Sequence, residues 1–200
     1  MTENTKNTRG RPKQFKEEEI LVRILDAFWA RGYDALSTLS LVEITGVNKP
    51  SLYATFGSKE EIFEKVVNLY REKFKYEVAL KSLNKDSFKD AIKSFFEQVI
   101  IFATSNKKAK GCLAIHGALR TNNDDKASKL LLQVRLDMEE VLNKRIRRAI
   151  KDGNYDCQFK PKYLAKYLAT LHAGINIQIL NDTPRKELEE VINIALTVIK

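Results

Sequence analysis

Two hundred residues, 44% of them apolar and 30% charged, are ample for a sizeable core in one or two domains, which excludes wholesale disorder; two cysteines exclude a disulfide framework and fit a reducing compartment. No apolar run reaches the length of a membrane-spanning helix and the polar, basic start is not a signal peptide, so the chain reads as soluble and cytoplasmic. The net charge of +9 favours an anionic partner, nucleic acid before membrane, although residues 1–60 hold nine Lys+Arg against eight Asp+Glu and most of the excess lies beyond them.

Residues 1–16 are polar, with Lys6, Arg9, Arg11, Lys13 and Lys16 against the single acid Glu3. Arg9-Gly10-Arg11-Pro12 is similar to the core of hooks that enter the narrow minor groove of A·T-rich DNA, which makes Arg9 and Arg11 candidate DNA contacts. A charged tail that contacts nothing is the other reading, and both stay open here. From about Glu17 to Arg31, Ile20, Leu21, Ile24, Leu25 and Phe28 follow helical spacing. This helix ends at Gly32, and Phe28, Trp29 and Tyr33 are its bulky packing groups.

Next come two short helices joined by a tight turn. Ser37 caps the first, which runs to about Ile44 with Leu39, Leu41, Val42 and Ile44 expected on its buried side. Gly46 supplies the turn, because glycine adopts the left-handed backbone at little cost. Asn48 caps the second helix, whose first turn holds Pro50, where a missing N–H costs nothing. Leu52 and Phe56 are four apart and face inward, leaving Lys49, Ser51, Tyr53 and Thr55 pointing elsewhere. Gly57 ends this helix, and Ser58 with Glu61 forms a capping box for a third. Two helices of this size around a glycine turn are a helix-turn-helix, whose second helix is the one that enters a DNA major groove.

Phe28, Arg31-Gly32-Tyr33, Gly46-Val47, Ser51-Leu52-Tyr53 and Phe56-Gly57-Ser58-Lys59-Glu60 stand at spacings that closely resemble the DNA-binding domain of the tetracycline-repressor (TetR/AcrR) family of bacterial transcription regulators. The resemblance implies that Lys49, Pro50, Tyr53, Ala54 and Thr55 face the groove, with Lys49 as the base reader because lysine can donate to guanine O6 and N7. Tyr53 and Ser51 would donate hydroxyls to phosphate, and Lys59 would add a charge at the start of the next helix. Ser37 and Thr38 would complete a phosphate clamp at a helix N-terminus. Leu39 is apolar where relatives often carry a polar or basic side chain.

After Ser58 a long helix runs to about Leu80 on a stripe of Ile62, Phe63, Val66, Leu69, Tyr70 and Phe74. A break at Ser82 to Lys85 divides residues 17–81, the expected DNA-binding unit with its connecting helix, from 82–200. Ser87 caps a helix carrying Phe88, Ile92, Phe95, Phe96, Val99, Ile100 and Phe102, and a short helix is expected from Gly111 to Arg120. After a loop from Thr121 to Asp125, a helix runs to Asp152-Gly153 on Leu131, Val134, Leu136, Met138, Val141, Leu142, Ile146 and Ile150. Its basic end, Lys144, Arg145, Arg147, Arg148 and Lys151, is expected to be a solvated face. Two amphipathic helices, starting at Pro161 and at Thr183-Pro184, close an all-α chain with no β-pattern.

The resemblance implies an N-terminal three-helix head, a C-terminal domain that senses a small molecule, and a homodimer held by the last two helices, reading a palindromic double-stranded operator. Candidate ligand contacts are Phe95, Phe96, Phe102, His116, Tyr163, Tyr167 and His172. Cys112 joins them because Cys112 and His116 share a helix face, where an imidazolium could activate the thiol; an inert, buried cysteine is the alternative. Cys157 and His172 lack ligand spacing for a metal, no cofactor is implied, and no Gly-rich phosphate loop or nucleophile–base pair suggests an enzyme. A helical DNA-binding or adaptor protein that senses nothing remains the alternative to a ligand-responsive regulator.

Overall fold

The computed structural model describes residues 11–106, 108–116 and 125–199, with side chains from Glu17 onward. Among these the chain is all-helical. α1 (Arg11–Arg31), α2 (Thr38–Thr45), α3 (Lys49–Phe56) and α4 (Lys59–Phe74) make the head and its exit. α4 passes through a π-helical turn at Lys75–Ala79 into α5 (Leu80–Ser82). α6 (Phe88–Ser105), α7 (Leu113–His116), α8 (Lys126–Lys151), α9 (Pro161–Leu180) and α10 (Arg185–Ala195) follow, the last ending in a 3-10 turn at Leu196–Val198.

Local chemistry explains the boundaries. Ser37 Oγ accepts from Ser40 N at 3.1 Å, Asn48 Oδ1 from Ser51 N at 2.9 Å and Ser87 Oγ from Asp90 N at 3.2 Å, so three helices start where a short polar side chain satisfies an orphan N–H. The Ser58–Glu61 capping box is complete in both directions. Gly46 ends α2 at φ +69° in the left-handed region. Gly57 is needed twice over: its φ is +86°, and an added Cβ would come within 2.4 Å of Glu61 Oε2.

Ile24, Leu25, Phe28, Leu41, Leu52, Phe56, Ile62 and Phe63 close the core of the head, with the Phe28 and Phe63 rings edge to face at 5.0 Å. The core continues without interruption through α4 into the body, where Phe88, Ile92, Phe95, Phe96 and Val99 of α6 are buried against the connecting helix and against α9. The π-helical turn adds a residue to the ladder and re-phases the stripe, so that Val78 is buried while Tyr76 faces solvent. No described helix is long and apolar enough to cross a membrane.

Several expectations need correction. α1 begins at Arg11, not near Glu17, so the helix runs into the supposed arm. Leu39 is 70% exposed, because two residues along a helix is a turn of about 200° and Leu41 takes the inward place. α7 starts at Leu113, two residues later than expected because Gly111 and Cys112 are not helical, and residues 117–120 of the expected helix lie outside the described residues. On α8, Leu136, Val141 and Ile150 are exposed, while the expected solvated Arg145 is 7% exposed. Arg145 is drawn in because its guanidinium satisfies Leu83 O at 2.9 Å and Lys85 O at 2.8 Å at the break after α5, and it lies 5.4 Å from the Phe88 ring centroid.

Candidate nucleic-acid interface and adjoining cavity

The outward surface of α3 follows from its inward one. Leu52 and Phe56 are buried, so the helical period leaves Lys49, Pro50, Ser51, Ala54 and Thr55 exposed. Tyr53 is half-buried: its ring packs at the edge of the core and its hydroxyl lies 2.6 Å from Thr38 Oγ1. This bond joins the middle of α3 to the first turn of α2. Lys49 Nζ is 5.8 Å from the Tyr53 ring centroid. Thr38, Tyr53, Gly57, Ser58, Lys59 and Glu60 border one open groove, so the hydroxyls at the start of α2 and on α3 share a surface with the N-terminus of α4. Hydroxyls, lysines and a helix N-terminus on one surface are what phosphate binding requires.

Lys59 is more constrained than its sequence position suggests. Its ammonium sits 4.1 Å from the Tyr33 ring centroid, and the Tyr33 hydroxyl donates to Glu60 Oε1 at 3.0 Å. Burial, followed by the Glu60 carboxylate, pushes the Tyr33 phenol up to about 12, and hydrogen bonds from its own backbone N–H and from Tyr33 hold Glu60 below the usual carboxylate range. Periodicity gave no sign of this arrangement. Arg9 lies outside the described residues, and only the backbone of Arg11 is described, at the start of α1.

In the body, α4, α7, α8 and α9 line a partly open cavity of about 330 Å³ whose walls include Tyr70, Phe74, Cys112, Ile115, Arg135, Met138 and His172. Of the eight candidate ligand contacts, Cys112 and His172 border it. Phe95, Phe96 and Phe102 are core residues behind it, His116 points elsewhere, and Tyr163 and Tyr167 lie on the exposed side of α9. Of the walls from α4 and α8, Tyr70, Phe74 and Met138 were legible in sequence only as part of an apolar stripe and Arg135 not at all, since periodicity does not separate a residue that touches another helix from one that touches a void.

Cys112 immediately precedes α7 and His116 ends it, and the two do not form an activated pair. The imidazole Nδ1 lies 3.2 Å from Trp29 O, and the thiol instead accepts from the buried Tyr70 hydroxyl at 3.1 Å. Burial pushes the Cys112 thiol up, the opposite of activation. Burial also lowers His172 to about 4, so it is neutral near pH 7, and its Nε2 has no hydrogen-bond partner. Among the described residues no group of three or more His, Cys, Asp or Glu is placed to hold a metal.

The family model for bacterial regulatory proteins of the tetR family matches residues 20–66, the head just described. The HTH-type transcriptional repressor ComR of Escherichia coli is 30% identical over 202 residues, covering 100% of this chain and 94% of that protein. The uncharacterized HTH-type regulator YezE of Bacillus subtilis is 23% identical over 192 residues, or 95% of this chain and 99% of that one. A solved structure of a cysteine mutant of the TetR family regulator CifR, complexed with 26bp double-strand operator DNA, superposes with a TM-score of 0.85 at 29% identity, covering 96% of this chain and 100% of that one.

Proposed function

The chain belongs to the TetR family of bacterial transcription regulators, and on that premise we propose that it is a repressor that grips a palindromic operator as a homodimer and releases it when a small molecule enters the cavity of its body. The observation that carries this reading is the division of α3: Leu52 and Phe56 hold it from behind while Lys49, Ser51, Ala54 and Thr55 are free to meet base edges and phosphates. In this reading Lys49 reads bases, Ser51, Tyr53, Lys59, Ser37 and Thr38 position the backbone, and Pro50, Ala54 and Thr55 line the groove. Arg9 and Arg11 contribute from the minor-groove side.

The dimer is supported by α9 and α10. Tyr163, Tyr167, Thr170, Gly174 and Gln178 form one exposed stripe along α9, and Ile194 of α10 is 68% exposed, so both helices have an outer face with apolar groups in water. Joining those faces in a four-helix bundle sets two recognition helices roughly one DNA turn, about 34–36 Å, apart or somewhat further. Residues 17–81 then act as the DNA-binding unit with its connecting helix and residues 82–200 as the sensing and dimerising unit, with 1–16 as a basic arm that α1 extends into. The proposed site of action is the cytoplasm.

The test is footprinting on the DNA flanking the protein's own gene, with and without a panel of small organic compounds. Protection of a palindrome that a compound abolishes is the expected result. Protection that no compound changes, with no ligand-dependent rise in melting temperature, would leave a DNA-binding protein that senses nothing.

A further inference from the structure

The hydrogen-bonding groups around the cavity are unevenly committed. The Tyr70 hydroxyl donates to Cys112 Sγ, Thr170 Oγ1 donates to Lys166 O at 2.8 Å, and the Glu139 carboxylate accepts from Lys166 Nζ at 2.5 Å. Arg135 differs. Its guanidinium borders the cavity and is half-buried, Nη1 donates to Ala114 O at 2.6 Å, and no carboxylate pairs with it among the described residues. A guanidinium has five N–H donors, and among the described residues only Nη1 meets a protein acceptor. Around it Phe74, Ile115, Leu132 and Met138 are apolar.

The charges do not cancel. Glu139 and Lys166 neutralise each other, Asp137 is engaged with Arg71, and burial keeps the Cys112 thiol protonated, which leaves the cavity with one net positive charge on Arg135. Burial disfavours that charge, lowering the guanidinium pKa from its ordinary value. A half-withdrawn cation beside an apolar chamber gains most from a ligand that brings a single negative charge on a body that cannot be solvated.

Resting on the reading of this cavity as the effector site, we propose that the effector is a small amphipathic organic monoanion, its carboxylate held by Arg135 and its apolar body lying against Phe74, Ile115 and Met138. The cavity of about 330 Å³ sets the size. At roughly 30 Å³ per water-sized group it holds on the order of ten non-hydrogen atoms, a substituted aromatic or branched aliphatic acid. The same guanidinium also supplies a route to the head. It holds Ala114 O of α7, and α7 is tied to the end of α1 through His116 Nδ1 and Trp29 O. A carboxylate held by the remaining donors shifts the Arg135 side chain and, through its Nη1 bond to Ala114 O, moves α7 with it.

The experiment uses three probes with one apolar body: para-isopropylbenzoate, para-isopropylbenzamide and para-isopropylbenzylamine, which are anionic, neutral and cationic at pH 7. Calorimetric titration and thermal melts of the full chain are run with wild type, Arg135→Gln and Arg135→Lys. The benzoate is expected to bind on the order of ten-fold more tightly than the amide in wild type, as a charge-assisted pair requires. Arg135→Gln should erase that preference while keeping the amide affinity, and Arg135→Lys should keep part of it. If the amide or amine equals the benzoate in wild type, the cavity binds ligand but the charge class is wrong. If all three fail to bind folded wild-type protein, the effector reading of the cavity falls together with this proposal.

Discussion

The indole N–H of Trp29 donates to the carbonyl of Gly111 at 3.1 Å, and the carbonyl of Trp29 in turn meets His116 Nδ1 at 3.2 Å. One residue at the end of α1 thus makes two bonds to the segment that forms a wall of the cavity. The connection is reinforced by the Trp29 ring, edge to face with Tyr70 at 5.0 Å and stacked on Phe102 at 5.6 Å. Head and body meet here through directional bonds rather than through apolar packing alone, and such bonds respond to small displacements.

Trp29→Phe keeps an aromatic ring but removes the donor, leaving the buried Gly111 carbonyl unsatisfied. The expected loss is about 1–3 kcal/mol in urea denaturation, plus a packing cost from the smaller ring. If the Trp29 connection transmits cavity occupancy, a ligand that releases DNA from wild type should release it less from the variant. That comparison needs operator affinity measured with and without ligand.

On the recognition surface the two lysines are expected to behave differently. Lys49→Ala should weaken binding and also relax base preference, by about 1–3 kcal/mol at the position it reads. Lys59→Ala should weaken all sequences alike and lower the slope of log affinity against log salt by about 0.9 for each phosphate it no longer neutralises. Tyr53→Phe removes the hydroxyl that meets Thr38 while keeping the ring over which Lys49 lies, so its effect too should be uniform across sequences. Fluorescence anisotropy with matched and mismatched operators over a salt series separates these outcomes.

Gly174 lies exposed on α9, and an added Cβ there would have nothing within 4 Å. Gly174→Leu therefore leaves the protomer folded, with helical signal and urea midpoint near those of wild type, but obstructs a close approach of two α9 helices. Sedimentation should show a shift from dimer toward monomer, accompanied by weaker operator binding. A variant that stays fully dimeric would place the interface elsewhere.

Arg145→Met keeps much of the aliphatic bulk and removes the donors to Leu83 O and Lys85 O. Uncapping these carbonyls at the break between α5 and α6 should cost about 2–3 kcal/mol in urea unfolding. Arg147→Met, on the exposed side of the same helix, should stay within about 0.5 kcal/mol.

His172 gives stability a dependence on acid. Burial lowers its folded pKa to about 4 from an ordinary 6.5, so the unfolded chain takes up the proton first as pH falls. Its contribution is fully present above about pH 6.5 and is lost progressively down to about pH 4, a total on the order of 3 kcal/mol. Urea midpoints across that window should fall more steeply for wild type than for His172→Gln, which stays uncharged throughout.

The boundaries of α2, α3 and α4 were legible in single residues, because a cap or a glycine turn is a local bond between neighbours: Ser37, Gly46, Asn48, Gly57 and the Ser58–Glu61 pair all act within four positions. The helix-turn-helix and its likeness to one family followed from that local grammar. Periodicity also named most of the core, but it treated each helix as having one buried stripe, and Leu39, Leu136 and Arg145 show where that fails. Whether an apolar side chain meets another helix, a void or water depends on what the rest of the chain brings opposite it. For the same reason only the tertiary structure decided that Tyr70, Phe74 and Arg135 border a cavity, that His116 turns toward Trp29 rather than Cys112, and that a basic residue deep in α8 closes a distant break. Helix starts are set by neighbours in sequence, and sites are set by neighbours in space.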